Sequence, residues 1–400
     1  MRHTVRMNPE ECTGCGACAS ICPKGAITMQ PDAEGFRYPV VDGEKCVGCD
    51  LCEKRCPAGK AQEAHKPQIY GAQNRDAALR SISSSGGVFT ALAHTWIKNG
   101  GVVFGAAFDE ALRVEHIGAF DEAELSGMRG SKYVQSDATD AIAHAAALLE
   151  RGIPVLFSGT PCQISGLMAR VGKKAGDLLL TVDFVCHGVP SPGVFASYLR
   201  ELEAKHGKRV TRYAFRDKRK GWADFSAVAT FEDGTEQVGQ QTTDPYLYGF
   251  LQNLYLRPAC VRCDTLRGEH HPADITLADL WGAKEIAPKA DDDTGLSLVF
   301  VNTPRGRQAF EACRGQLSTF PIKDTDKLLR YNPSIASTSS AHPKRAAFFK
   351  RYRERGFESD YVMKLLADPG RLERAARRIA HLPKGLMRRI RVLMASKQGK

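Results

Sequence analysis

The chain has 400 residues, too many for one small module and suited to two or three domains, with enough apolar residues (43%) for a sizeable core. Its formal charge of +11 is concentrated at one end: residues 344–400 hold 17 Lys and Arg against 5 Asp and Glu, leaving about −1 for the rest. That placement argues against a body built to bind a polyanion. No run approaches the roughly 18 apolar residues of a membrane span, and no apolar signal-peptide core follows Met1. A reducing cytoplasm is therefore the expected compartment, one in which thirteen cysteines can stay thiols.

Eight of those cysteines fall in the first 56 residues, as Cys12-x2-Cys15-x2-Cys18-x3-Cys22-Pro23 and Cys46-x2-Cys49-x2-Cys52-x3-Cys56-Pro57. In this spacing the first three cysteines of a run grip one cubane and the fourth crosses to the other. The expected sets are Cys12, Cys15, Cys18 and Cys56 for one [4Fe–4S] cluster, and Cys46, Cys49, Cys52 and Cys22 for the second. Zinc sites or a disulfide knot are the alternatives, but neither calls for two complete ferredoxin repeats. Gly14, Gly16 and Gly48 let each loop bend close to its sulfurs. Ala26–Met29 and Gly35–Val41 read as two short strands of a small α+β ferredoxin shell, residues 1–60, held together largely by its metal centres. The polar stretch Ala58–Tyr70 reads as a linker.

Residues 70–335 alternate helices and strands, which predicts an α/β body. Ser83-Ser84-Ser85-Gly86-Gly87 leads into Val88, Phe89, Leu92, Trp96 and Ile97 at helical spacing, and that helix stops at Asn99-Gly100-Gly101. Val102–Phe108 is an expected strand, 138–150 a helix, and Ile153–Phe157 and Leu178–Val185 buried strands. Ser191-Pro192 opens a helix to about His206. Residues 209–240 read as antiparallel additions, with a hairpin turn at Asp233-Gly234. Cys162 and Cys186 each follow an apolar strand, where an α/β sheet opens onto its ligand crevice, and Cys260-x2-Cys263 lies farther on. These four are a candidate third cubane site; from spacing alone they are equally a zinc site or plain buried cysteines. Cys313 reads as a helix packing residue.

Several motifs occur in order: Ser85-Gly-Gly-Val-Phe-Thr-Ala-Leu92, Gly130-Ser-Lys-Tyr133, Gly159-Thr-Pro-Cys-Gln163, Val185-Cys-His-Gly188, Cys260-x2-Cys263 and Asp274-Ile-Thr-Leu-Ala-Asp-Leu-Trp-Gly282. Together they resemble the beta-subunit family of coenzyme F420 hydrogenase/dehydrogenase, which includes 7-hydroxymethyl chlorophyll a reductase. The resemblance spans about residues 70–335, in parts 70–152 and 153–335. It implies a body that binds FAD beside a third [4Fe–4S] cluster held by Cys162, Cys186, Cys260 and Cys263. It also implies flavin contacts at Ser85, Gly86, Gly87 and Thr90, at Lys132 and Tyr133, and at Ser158, Gly159 and Thr160. The physical case is that Gly86-Gly87 and Gly159-Thr160 would offer backbone N–H groups to a pyrophosphate at helix starts; a tight turn with no ligand is the plain alternative. Arg216-Asp-Lys-Arg-Lys-Gly-Trp222 is either part of a substrate mouth or a solvated hairpin. No catalytic residue is named by the sequence.

Residues 344–400 predict a basic helical tail broken at Pro383, either packed on the body or facing an anionic membrane or acidic partner. The expected function is an iron–sulfur flavoprotein oxidoreductase passing electrons between ferredoxin-type clusters and a flavin that serves a two-electron substrate such as coenzyme F420. The alternative is a non-catalytic subunit relaying electrons within a larger hydrogenase- or dehydrogenase-type complex. Either role implies a redox partner protein, and the first a small two-electron substrate; nucleic acid is not expected.

Overall fold

The computed structural model describes residues 8–60, 63–263 and 268–367. Chain contacts divide it into two units, Met1–Ser359 and Asp360–Lys400. Within the second, residues 360–367 are described and continue the helix Ser359–Leu366; the expected break at Pro383 lies outside the described residues.

In the first unit, β1 (Ile27–Pro31) and β2 (Arg37–Val41) pair antiparallel, as the sequence pattern predicts. Each cysteine run carries a short helix, Ala17–Ile21 and Leu51–Lys54. The expected linker ends earlier than predicted: β3 (Gln68–Asn74) is an interior strand of the main sheet. Its sequence, Gln-Ile-Tyr-Gly-Ala-Gln-Asn, is too polar to read as a buried strand.

The main sheet also takes β4 (Val102–Phe108), β5 (Val114–Ala119), β6 (Val155–Ser158) and β7 (Leu179–Phe184). A separate antiparallel sheet holds β8 (Val210–Asp217), β9 (Ser226–Phe231) and β10 (Glu236–Gln240), the expected addition, with its turn at Asp233-Gly234. The main sheet is completed by β11 (Ile275–Asp279), β12 (Ser297–Val301) and β13 (Leu317–Pro321), in the order β13-β3-β12-β11-β7-β6-β4-β5. Strands β4, β6, β7 and β11 run parallel, flanked by antiparallel neighbours. One continuous sheet thus contains both body segments, 70–152 and 153–335.

Alternation along the parallel strands fills two cores. Val103, Leu156 and Leu180 face the helices Val88–Lys98 and Pro304–Cys313, where Cys313 is fully buried as expected. Val102, Phe104, Val155 and Phe157 face the helices Thr139–Glu150 and Pro161–Val171. The second of these starts in a capping box, with Thr160 and Gln163 exchanging side-chain and backbone bonds and Pro161 in the first turn. Ser191 caps Pro192–His206, and Gly207 ends that helix at φ +65°.

Candidate iron–sulfur and flavin site

None of the thirteen cysteines forms a disulfide. Gly14 and Gly16 take φ +67° and +81° in the first loop, and Gly48 takes +68° in the second. Those left-handed angles wrap the backbone around its sulfurs. Cys15 is buried, and burial, with smaller contributions from Cys162, Cys12 and Cys56, pushes its thiol up to about 12. Cys18 is pushed up by burial and then by Cys15, Cys12 and Cys56. Cys12, Cys15, Cys18 and Cys56 are therefore electrostatic neighbours. Cys52 is raised by burial, with Cys22 and Cys49 adding to it. Cys22, Cys46, Cys49 and Cys52 share the lining of a cavity of about 30 Å³. The cross-over between the runs is the grouping that the spacing predicts. Crowded thiols that cannot all ionise without cations suit iron, because metal binding removes the repulsion. Among the described residues no three His, Cys, Asp or Glu side chains converge as a single-ion metal site. A cubane spreads its four thiolates across four irons, so it needs a wider arrangement than one zinc ion.

The first repeat is packed into the body. Gly166, on the helix Pro161–Val171, leaves room for Cys15: a Cβ there would sit 3.0 Å from its sulfur. Gly16 lies against Thr139, and the Gln135 amide donates to Thr13 O at 2.9 Å. Ser191 Oγ donates to Glu34 O at 2.5 Å, Arg345 pairs with Glu34, and Arg37 pairs with Asp137. Arg257 reaches in from the segment before Cys260, its Nε donating to Cys12 O at 2.7 Å.

Cys162 lies in the first turn after β6, its sulfur 3.1 Å from Thr160 Oγ1. Its thiol is raised by burial, an effect opposed by Thr160 and by the Arg257 charge. Cys186 lies two residues past β7. Val189 N–H donates to Cys260 Sγ at 3.4 Å, so the loop after Cys186 meets the turn Pro258–Arg262, and Cys263 closes that turn. The four expected ligands thus fall into two groups, Cys162 beside Cys15, and Cys260 beside the loop after Cys186, with Arg257 reaching from the second toward the first.

The segments expected to hold flavin meet in part. Ser131 Oγ donates to Ser84 Oγ at 2.8 Å, which joins the Ser83–Gly87 and Gly130–Tyr133 loops. Lys218, from the Arg216–Trp222 segment, donates to Ser85 O at 3.2 Å, Arg80 O at 3.0 Å and Thr294 O at 2.7 Å. Lys132 donates to Gly127 O and Arg129 O, and burial with no offsetting carboxylate pulls its ammonium down to about 7. A half-buried lysine beside carbonyls is suited to an anionic ligand group. Tyr133 packs at a tilt against Phe250, ring centres 4.8 Å apart, and Thr90 is buried.

The N–H groups expected to face a pyrophosphate are otherwise engaged. Gly86 N–H donates to Ser297 Oγ at 2.9 Å, and the residue is pressed against Ala72 O, which explains why it is glycine. Gly159 N–H joins the sheet through Val182 O at 3.1 Å, and Thr160 N–H caps onto Gln163 Oε1 at 3.0 Å. What remains is the first turn of the helix Val88–Lys98, whose Gly87 N-cap lies at φ +79° and provides no side-chain cap.

Three features escaped the sequence reading. Ser158 O bonds His116 Nε2 at 2.9 Å, and burial lowers that imidazole to about 4. Arg216 pairs with Asp279 beneath a stacked Trp222–Trp281 pair at 5.0 Å, so the cationic segment is neither a free hairpin nor an open mouth, and Arg219 pairs with Asp217 and Glu236. A cleft of about 310 Å³ lies beside His187, walled by Trp281, Tyr331, Asn332 and the Ser337–Ser339 hydroxyls. Each depends on contacts between distant segments that no local pattern encodes.

Among the described residues no helix is long and apolar enough to cross a membrane. No curated protein matches the chain. One solved structure similar to it is a chain of the F420-reducing [NiFe] hydrogenase complex from Methanosarcina barkeri, at 18% identity and a TM-score of 0.46, covering 75% of this chain and 92% of that one. Residues 11–60 match the 4Fe-4S dicluster domain, and residues 154–325 match the C terminus of the coenzyme F420 hydrogenase/dehydrogenase beta subunit. The chain thus pairs a segment similar to a 4Fe-4S dicluster domain with a segment similar to the C terminus of the coenzyme F420 hydrogenase/dehydrogenase beta subunit.

Proposed function

We propose that the protein is a flavin-dependent iron–sulfur oxidoreductase in which electrons move between the two N-terminal clusters, a third cluster in the body, and FAD serving a two-electron substrate of the coenzyme F420 type. The observation that carries this reading is the seating of Cys15 against the helix that presents Cys162, which sets the first repeat beside the body's own cysteines. When bound, the clusters would supply one-electron steps and the flavin would pair them for a hydride-level exchange.

The chain's own residues divide the work. Cys12, Cys15, Cys18 and Cys56 hold the inner cluster, and Cys22, Cys46, Cys49 and Cys52 the outer one. Cys162, Cys186, Cys260 and Cys263 hold the third, with Val189 N–H donating to Cys260 Sγ and Thr160 Oγ1 beside Cys162 Sγ. Ser85, Gly86, Gly87, Thr90, Lys132, Tyr133, Ser158, Gly159 and Thr160 frame the flavin. In that frame Lys132 gives a half-buried amine that an anionic ligand group would keep protonated, the helix start at Gly87 its dipole, and Gly86 and Gly159 hold the loops in place. The redox domain of the body is 70–335, preceded by the 1–60 module; residues 344–400 form a basic segment through which peripheral membrane or partner contact takes place, and the protein works in the cytoplasm.

Steady-state turnover of the isolated, reconstituted chain tests this. Reduced dye or ferredoxin should support reduction of F420 or a comparable two-electron acceptor. Loaded clusters with no turnover in either direction would leave the relay-subunit reading in its place.

A further inference from the structure

Arg257 is among the largest side chains in the molecule with no exposure at all. Burying a guanidinium costs several kcal/mol unless charge and hydrogen bonds compensate it. Each of its three nitrogens donates: Nε to Cys12 O at 2.7 Å, Nη1 to Gln135 Oε1 at 3.0 Å, and Nη2 to Arg37 O at 3.1 Å. Its planar faces are covered by Tyr38 at 4.2 Å and Phe36 at 5.5 Å. Among the described residues no carboxylate pairs with it. The negative charge within reach is sulfur: Nη2 lies 3.7 Å from Cys12 Sγ, and the Arg257 charge also acts on Cys162. Gly14 is pinned to the same point, since a Cβ there would fall 2.7 Å from Nη1. Arg257 O accepts from Cys260 N–H at 3.0 Å, so the side chain is anchored in the turn that presents Cys260.

A cation so placed has two consequences. It clamps the Cys12 loop to the body through a rigid planar fork that lysine cannot reproduce. It also stabilises the more negative, reduced state of a cluster bound at Cys12, and hydrogen bonding and net charge near the sulfurs are what set such potentials. In the second repeat, by contrast, a Cβ on Gly48 would meet no described atom within 4 Å.

We propose that Arg257 is a positioning residue shared by the inner cluster and the body site, which holds the two in register and raises the reduction potential of the inner cluster above that of the outer one. The proposal rests on the ligand sets given under Proposed function.

The test is EPR-monitored redox titration of the anaerobically reconstituted full chain, with iron and sulfide counted first. Arg257→Met should lower the potential of one N-terminal cluster by at least tenfold in its one-electron equilibrium constant, about 59 mV, and leave the other unchanged. Arg257→Lys keeps the charge but loses the fork, and should show a smaller fall in the same cluster. Should the methionine variant not load iron, the lysine variant decides alone. Full iron content with all potentials as in the wild type would overturn the role of Arg257 while leaving the ligand sets standing. A wild-type chain that binds fewer than two cubanes would instead overturn the underlying reading.

Discussion

The two cysteine repeats are spaced identically, yet the fold places them in opposite surroundings. Cys15 is buried against the body helix, while its counterpart Cys49 is exposed beside Val47, which is 61% accessible. A Cβ on Gly14 would strike Arg257 and Gln135, whereas one on Gly48 would meet nothing within 4 Å. Even the left-handed residue that starts each short helix differs, Gly16 pressed against Thr139 and Asp50 with room for a side chain. A shared ligand pattern therefore fixes the cluster type but not its role. The surroundings bury one repeat against the body and leave the other facing solvent.

That contrast can be broken most severely at the sulfurs. Cys15→Ser should remove about four iron atoms per chain, one cubane, and abolish electron delivery to the body. Cys49→Ser should remove as much iron yet leave the packing against the body intact, as read by limited proteolysis. Equal loosening in both variants would erase the distinction. A milder pair is Gly14→Ala against Gly48→Ala. Both force alanine to positive φ, at about 1 kcal/mol each, but only Gly14 adds a clash, for roughly another 1–3 kcal/mol. Thermal unfolding of the loaded proteins should show the larger drop for Gly14→Ala, and matching drops would contradict the packing described. Next, Glu34→Gln weakens the partly buried pairing with Arg345, at about 1–2 kcal/mol, and should loosen the module without shifting any cluster's iron content. The smallest effect is expected for Val47→Asp, within about 0.5 kcal/mol in stability. It should nonetheless change the rate of reduction by a protein donor while leaving reduction by dithionite as it was.

How much of this is legible in the sequence depends on the range of each interaction. The two cysteine runs are legible from spacing alone, and the hairpin of β1 and β2 and the helix from Pro192 to His206 follow from local pattern and capping and form where expected. Strand β3 was hidden because its polar residues are buried by neighbours far along the chain, Ser297–Val301 and Leu317–Pro321. The Gly86 N–H reads in sequence as free for the same reason, since its acceptor on Ser297 is 211 positions away. Arg257 reads in sequence as one more arginine before a cysteine pair, and its partner Cys12 is 245 positions distant. Chemistry carried by spacing is visible early, whereas chemistry created where two domains meet emerges only with the fold.

The central claim is a chain of clusters ending at a flavin, and cofactor stoichiometry after anaerobic purification tests it most directly. About twelve iron atoms, a matching amount of sulfide and one FAD per chain are predicted, from three cubanes and one flavin. About eight iron atoms with no flavin would contradict it, leaving the N-terminal module as the only redox centre.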